Sequence, residues 1–244
     1  MPQINEVTMP IYTLKLIKRH DVAANTIVCD FAKPDGFKFT PGQYGGFTLI
    51  QPEITDDKGI TRRFSLMSSP DDATLSIVTR IQSSAFKINL SNLPMHGEIK
   101  FAGPTGNFIL HEDISIPAVL IAGGIGIAPF HSMIKHACKH QPDRKLILFY
   151  GNQSRETSAF LDELNELAQT NKNFTFIPVM AADENWEGEK GFITHTLIKK
   201  IVPDISKPIF YVCGSPAMVT TLQETLIEMD INSECIKVED FPGY

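Results

Sequence analysis

The stretch AGGIGIAPF, residues 122–130, sits directly behind the apolar run PAVLI at 117–121 and ahead of an amphipathic segment. Gly123, Gly124 and Gly126 allow a sharp turn out of a strand, and the free N–H groups of a helix start attract an anion such as a pyrophosphate. Pro129 stands where the usual dinucleotide fingerprint has its third glycine; at a first helical position it loses no needed donor and presets φ. The loop can therefore hold a dinucleotide, and it can equally be a structural turn that tolerates glycine. A second constellation lies in TRRFSLMSS, residues 61–69. Arg62 offers a bidentate fork for phosphate, Phe64 a stacking face, and Ser65 a hydroxyl able to stabilise developing charge. The same residues also suit an ordinary strand with Phe64 in a core and two exposed arginines. A third, Cys213-Gly214-Ser215-Pro216, follows the run IFYV. A cysteine there is more often a small buried hydrophobe, and with no histidine partner implied it is not read as a nucleophile.

Two grammars along the chain supply the elements that must position these residues. Up to about residue 110, short runs such as NTIVCDFA, YGGFTLI and TLSIVTRI are rich in β-branched and aromatic residues and broken by turn dipeptides. That pattern predicts a small antiparallel barrel or sandwich. One helix is expected over 84–93, where Phe86, Leu90 and Leu93 share a face. Beyond about residue 115 apolar strands alternate with amphipathic helices, which predicts a parallel sheet with ligands beyond the carboxyl ends of its strands. The segment HEDISIP at 111–117 is the expected seam.

With 244 residues, 43% of them hydrophobic and 20% charged, the chain is an ordinary globular protein of one large or two modest domains. A net charge of −6 argues against nucleic acid as a partner. No apolar run reaches membrane-spanning length and the N-terminus lacks a signal pattern. The four cysteines are scattered, so neither a metal centre nor an iron–sulfur cluster is expected, and a reduced cytoplasmic protein is the better reading.

Taken in order, Arg62-x-Phe64-Ser65, GPTGNF at 103–108, GGIGIAP, NWEGEKGFI at 185–193, the Cys-Gly-x-Pro stretch and the terminal EDFPGY resemble the ferredoxin–NADP reductase superfamily over nearly the whole chain. That family typically carries Gly-x-Gly-x-x-Pro at this loop, which accounts for Pro129. The resemblance implies a β plus α/β fold. A six-stranded antiparallel FAD-binding barrel would span 1–112, and a parallel-sheet NAD(P)-binding domain with a C-terminal tail would span 113–244.

The same resemblance implies roles. Arg62 would pair with flavin phosphate, Phe64 would lie against the flavin ring, and Ser65 would bond near its reactive nitrogen. A second phosphate site usually marked by glycine reads TRIQSSAFK here, so Ser83 and Ser84 are the substitutes, as phosphate donors or as plain helix caps. This departure bears on FAD versus FMN, and FAD is the expectation. Gly124, Gly126 and Pro129 would contact the nucleotide pyrophosphate, and Cys213, Gly214 and Pro216 would flank the nicotinamide. Ser65, Cys213 and Glu239 are expected nearest the reacting atoms. Phe241 or Tyr244 could cover the flavin, or belong to a loose tail. Ser154 and Arg155, with no carboxylate at that strand tip, point to NADPH over NADH, although they also suit a simple helix start. The implied activity is a flavin-dependent NAD(P)H oxidoreductase, a cytoplasmic monomer serving an external acceptor such as ferredoxin, flavodoxin or an oxygenase component. The alternatives are an NADH-linked ferric or free-flavin reductase, a flavin-binding sensor or regulatory component, or a two-domain enzyme without flavin.

Overall fold

The computed structural model describes residues 10–82 and 84–241. In the first half, β1 (Ile11–Ala23), β2 (Thr26–Ala32), β3 (Tyr44–Leu49), β4 (Thr61–Ser65), β5 (Thr74–Arg80) and β6 (Glu98–Thr105) form one antiparallel sheet in the order β4-β3-β6-β1-β2-β5. The segment after β4 curls the sheet towards closure, Met67 N–H donating to the Ser76 carbonyl of β5 at 2.9 Å. Strand alternation sends Phe31, Phe47, Leu75, Ile77 and Phe101 into a common core. The expected helix is α1 (Ala85–Asn92), capped by Ser84, whose side chain accepts the Lys87 N–H, with Phe86 and Leu90 buried. GPTGNF is only partly a turn, because its first three residues finish β6.

In the second half, β7 (Ala118–Gly123), β8 (Leu146–Asn152), β9 (Phe174–Met180), β10 (Glu189–Lys190), β11 (Ile209–Gly214) and β12 (Ile236–Asp240) form a parallel sheet in the order β10-β9-β8-β7-β11-β12. Helices α2 (Ile127–His140), α3 (Leu161–Thr170), α4 (His195–Ile201) and α5 (Pro216–Glu228) cover it. The continuous apolar reading of β7 follows from burial on both faces. Ala118, Leu120 and Ala122 pack with Phe130 and Ile134 of α2 and Leu164 of α3. Val119 and Ile121 pack with Ile198 of α4 and Leu222 of α5 on the opposite side.

One boundary differs from expectation. A short 3-10 turn over Gly124–Gly126 leads straight into α2, so Pro129 is the third helical residue and not the first. It costs no hydrogen bond there, because the first four helical N–H groups have no intrahelical partner. Helix α3 begins at Leu161 because Phe160 adopts a left-handed φ of 61°, its ring tilted against that of His131 with centroids 4.6 Å apart. NWEGEKGFI contributes the two-residue edge strand β10.

The two halves are docked through α2. Ala128 packs with Val28, Met67 and Val78, which explains why β5 is buried at five consecutive positions. The Ser132 hydroxyl donates to the Ser68 carbonyl at 2.6 Å, and the His131 ring bridges the Met67 carbonyl (2.9 Å) and Glu163 (3.1 Å). Phe108 and Leu110 already pack on the second core. The connection itself is braced by buried Arg144, bonded to the His111 carbonyl at 2.7 Å, while the Tyr211 hydroxyl takes the His111 N–H at 2.8 Å. Among the described residues no helix is long and apolar enough to cross a membrane.

Candidate functional site

The docking brings the end of β4 against the carboxyl ends of β11 and β12. Ser65 is 4% exposed, and its hydroxyl donates to Glu239 Oε2 at 3.5 Å. In the parallel register Cys213 lies opposite Glu239 and Gly214 opposite Asp240, and the Phe241 N–H then donates to the Gly214 carbonyl at 3.0 Å. Burial pushes the Glu239 carboxyl up to about 7; Ser65 opposes this and the neighbouring Asp240 charge adds to it. Burial, helped by the Glu239 and Asp240 charges, also holds the Cys213 thiol well above its ordinary range. Cys213 is therefore a neutral, fully buried thiol, poorly suited to nucleophilic attack.

The glycine loop meets this corner from the side. Gly124 has φ +51°, a conformation that favours glycine. A Cβ on Gly126 would lie 2.3 Å from the Cys213 carbonyl oxygen and 2.8 Å from the Gly214 nitrogen. Gly126 thus performs the close backbone packing that the usual fingerprint assigns to a later glycine. Of the three residues expected at a pyrophosphate, Gly126 and Pro129 are buried in packing, and Gly124 keeps accessible surface. Pro216 is exposed at the first position of α5, behind Ser215, which caps that helix. At the end of β8, Asn152 is 8% exposed and neighbours the buried Tyr150 hydroxyl, yet neither its Oδ1 nor its Nδ2 makes a hydrogen bond of good geometry. A buried amide left so is costly, and polar groups of a ligand would satisfy it.

On the barrel side, Arg62 and Phe64 share one face of β4, and Arg63 and Ser65 the other. Phe64 takes the core side, its ring 5.7 Å from those of both Phe47 and Phe86. Phe64 thus packs against the core while remaining only partly buried, and keeps surface of its own. Arg62 lies over the Phe86 ring and donates to the carbonyls of Lys58 (2.8 Å), Gly59 (3.0 Å) and Thr61 (2.8 Å). Its other arm pairs with Asp56 at 3.3 Å, and the second Asp56 oxygen accepts the Ala85 N–H of α1 at 3.0 Å. Arg62 and the start of α1 thus converge on a carboxylate, a donor set that suits an anion. Tyr44 and Arg63, to which the sequence assigns no role, lie on the Ser65 side of the sheet, the Arg63 guanidinium 5.8 Å from the Tyr44 ring. Ser83 and Tyr244 lie outside the described residues.

Ser154 opens the turn after β8, its N–H donating to Thr157 Oγ1 at 3.1 Å, whose hydroxyl returns to the Ser154 carbonyl at 2.9 Å. Arg155 is exposed, and its backbone N–H donates to Asp183 Oδ2 at 3.2 Å. A carboxylate does reach this strand tip, then, from the segment beyond β9. With Glu156 alongside, the turn is less cationic than Ser-Arg alone suggests.

The family model described as the oxidoreductase NAD-binding domain matches residues 120–224, from β7 into α5. A component of the Na(+)-translocating NADH-quinone reductase of Klebsiella pneumoniae is 32% identical over 232 residues, 88% of this chain and 56% of that protein. The chain spans about half the length of such relatives; the share is 54% for the flavohemoprotein of Oceanobacillus iheyensis, which is 27% identical over 86% of this chain. Among solved structures, the Amycolatopsis cytochrome P450 reductase GcoB superposes with a TM-score of 0.81 at 25% identity, covering 97% of this chain and 72% of that one. The antiparallel sheet followed by the parallel sheet is the fold of the ferredoxin–NADP reductase-like proteins, and the second half of the chain carries the oxidoreductase NAD-binding domain.

Proposed function

We propose that the protein is an FAD-dependent NAD(P)H oxidoreductase that passes electrons to an external acceptor. The observation that carries the reading is the meeting of Ser65 of the barrel with Glu239 of the parallel sheet, which lies opposite Cys213 at the carboxyl ends where such sheets bind ligands. The family model names nicotinamide-nucleotide binding for the second half. Relatives whose names include quinone reductase, dehydrase reductase and P450 reductase support an acceptor outside the chain.

The residues present fit both groups. Arg62 and the α1 N-terminus, now converging on Asp56, would hold flavin phosphate together with Ser84 and Ser83. Ser65, Tyr44 and Arg63 would face the ring side. Gly124 and the Asn152 amide would receive the dinucleotide, with Cys213, Gly214 and Pro216 at the nicotinamide end, and Phe241 or Tyr244 would cover the flavin. Arg155 would favour the 2′-phosphate of NADPH. A bound flavin supplies the capacity to take a hydride from a reduced nicotinamide and to release electrons onward. The chain's own part is to orient and to manage charge. The Ser65 hydroxyl is a donor held in place by Glu239, and below about pH 7 the Glu239 carboxyl is itself neutral. Neutral Cys213 and Gly214 form a compact wall that adds no charge. Ferredoxin, flavodoxin or an oxygenase component is the proposed acceptor, and the chain is proposed to work as a cytoplasmic monomer. Its two domains are proposed to divide at 112/113.

Reconstitution tests the reading. Titrating the purified protein with FAD and with FMN, followed by flavin fluorescence, is expected to give saturable 1:1 binding with FAD the tighter. Failure to take up either flavin would overturn it.

A further inference from the structure

On the flank of the docking seam, Asp71 and two histidines of α2, His136 and His140, each bring one ligand atom within 4.8 Å of the other two. We propose that these three side chains form a binding site for one divalent transition-metal ion of the zinc type, which ties the barrel to the nucleotide domain. The histidines are four residues apart, one helical turn, with ring centroids 4.5 Å apart. Asp71 comes from the turn before β5, and His140 Nε2 is already hydrogen-bonded to Asp71 Oδ2.

Three features point to a metal. Metal–ligand bonds of about 2.0–2.2 Å in a tetrahedron set the ligand atoms about 3.3–3.5 Å apart, so a modest rotamer adjustment closes the cluster. His136 Nδ1 is buried and has no hydrogen-bond partner, so that ring is not committed to the protein on both sides. A cation already seeks the place, since the Lys139 ammonium stands 3.2 Å from Asp71 Oδ2 on a side chain that is 64% exposed and free to swing away. Two imidazoles and one carboxylate select zinc, nickel, cobalt or copper over calcium and magnesium, which prefer all-oxygen sites.

The turn that carries Asp71 is held independently of any ion. Lys33 Nζ donates to the carbonyls of Pro70 and Asp72, the Asp72 carboxylate accepts the Ser69 N–H at 2.8 Å, and Lys135 of α2 pairs with Asp72 at 3.0 Å. Asp71 is thus presented to α2 by a braced turn. An ion here crosslinks residues 65 or more positions apart and stabilises the docked arrangement by mass action.

The experiment is calorimetric titration of the chelator-treated full chain with zinc chloride, paired with thermal unfolding with and without zinc. One ion per chain with saturable binding and a raised Tm is expected. His140→Ala, an exposed position, is expected to weaken binding about tenfold or more and to abolish the Tm rise, and Asp71→Asn to weaken it several-fold. His136→Ala is expected to match His140→Ala, the latter being decisive if the half-buried His136 position proves sensitive in folding. Absence of stoichiometric binding, or binding unchanged in His140→Ala as a cysteine-based site would give, would overturn the proposal.

Discussion

The Ser65 hydroxyl, at the end of β4, donates to the Glu239 carboxylate, at the end of β12, across 3.5 Å and 174 positions of sequence. Neither residue could reach the other without the docking of α2 onto the segment after β4, where Ser132 and His131 hold the carbonyls of Ser68 and Met67. The contact therefore reports on the relative placement of the two halves as well as on the chemistry of the corner.

Glu239 makes that contact titratable. Its carboxyl sits at about 7 in the folded chain against an ordinary 4.5, so between these values the native state holds a proton that the unfolded chain has released. Its contribution is fully present below about pH 4.5 and is lost as pH rises through 7, a change of about 3 kcal/mol at most. Glu239→Gln removes it. The Tm of wild type relative to this variant is expected to fall between pH 5 and pH 8, and parallel Tm–pH curves for the two proteins would show the group to be unperturbed.

Asp56 fills the place proposed for flavin phosphate, with Arg62 on one oxygen and the Ala85 N–H on the other. Asp56→Ala is expected to tighten FAD several-fold by freeing both donors, and Arg62→Ala to loosen it about tenfold or more. Fluorescence titration decides. A looser complex in Asp56→Ala would mean that this carboxylate supports the cofactor and does not compete with it.

Gly126 has no room for a side chain, because its neighbours at 2.3 and 2.8 Å are backbone atoms of Cys213 and Gly214. Gly126→Ala must push β11 away from the glycine loop, at a cost of about 1–3 kcal/mol. Gly151→Ala, whose nearest contact is the Ile193 side chain at 3.4 Å, serves as the tolerant comparison. Urea unfolding is expected to separate the two, and equal midpoints would remove the packing argument.

The donor turns on Arg155. If its guanidinium holds a 2′-phosphate, Arg155→Ala raises KM for NADPH about tenfold and leaves KM for NADH nearly unchanged. Equal effects on both donors, or a wild type that prefers NADH, would assign the turn to Asp183 and a free ribose hydroxyl instead.

Much of this architecture is legible in the residues. The apolar run before GGIGIAP, the spacing of Phe86 and Leu90, and the alternation after residue 115 each mark the element that forms. What was not legible has physical causes. Alternation puts Arg62 and Phe64 on one face of β4, but only the curled sheet decides that this face is the core side. The first turn of a helix tolerates proline at several positions, so Pro129 could not fix the start of α2 by itself. Strand β10 pairs over two residues and leaves no periodicity to read. Asp56, Asp71 and Asp183 act on residues 6, 65 and 28 positions away, within reach only after folding.

The central claim is best tested by the reductive half-reaction. The FAD-loaded protein is mixed anaerobically with NADPH and, separately, with NADH, and the flavin absorbance is followed in time. The visible bands are expected to bleach within the mixing experiment, faster with NADPH, and to return when an external one-electron acceptor is added. Bands that persist with both nucleotides would contradict it.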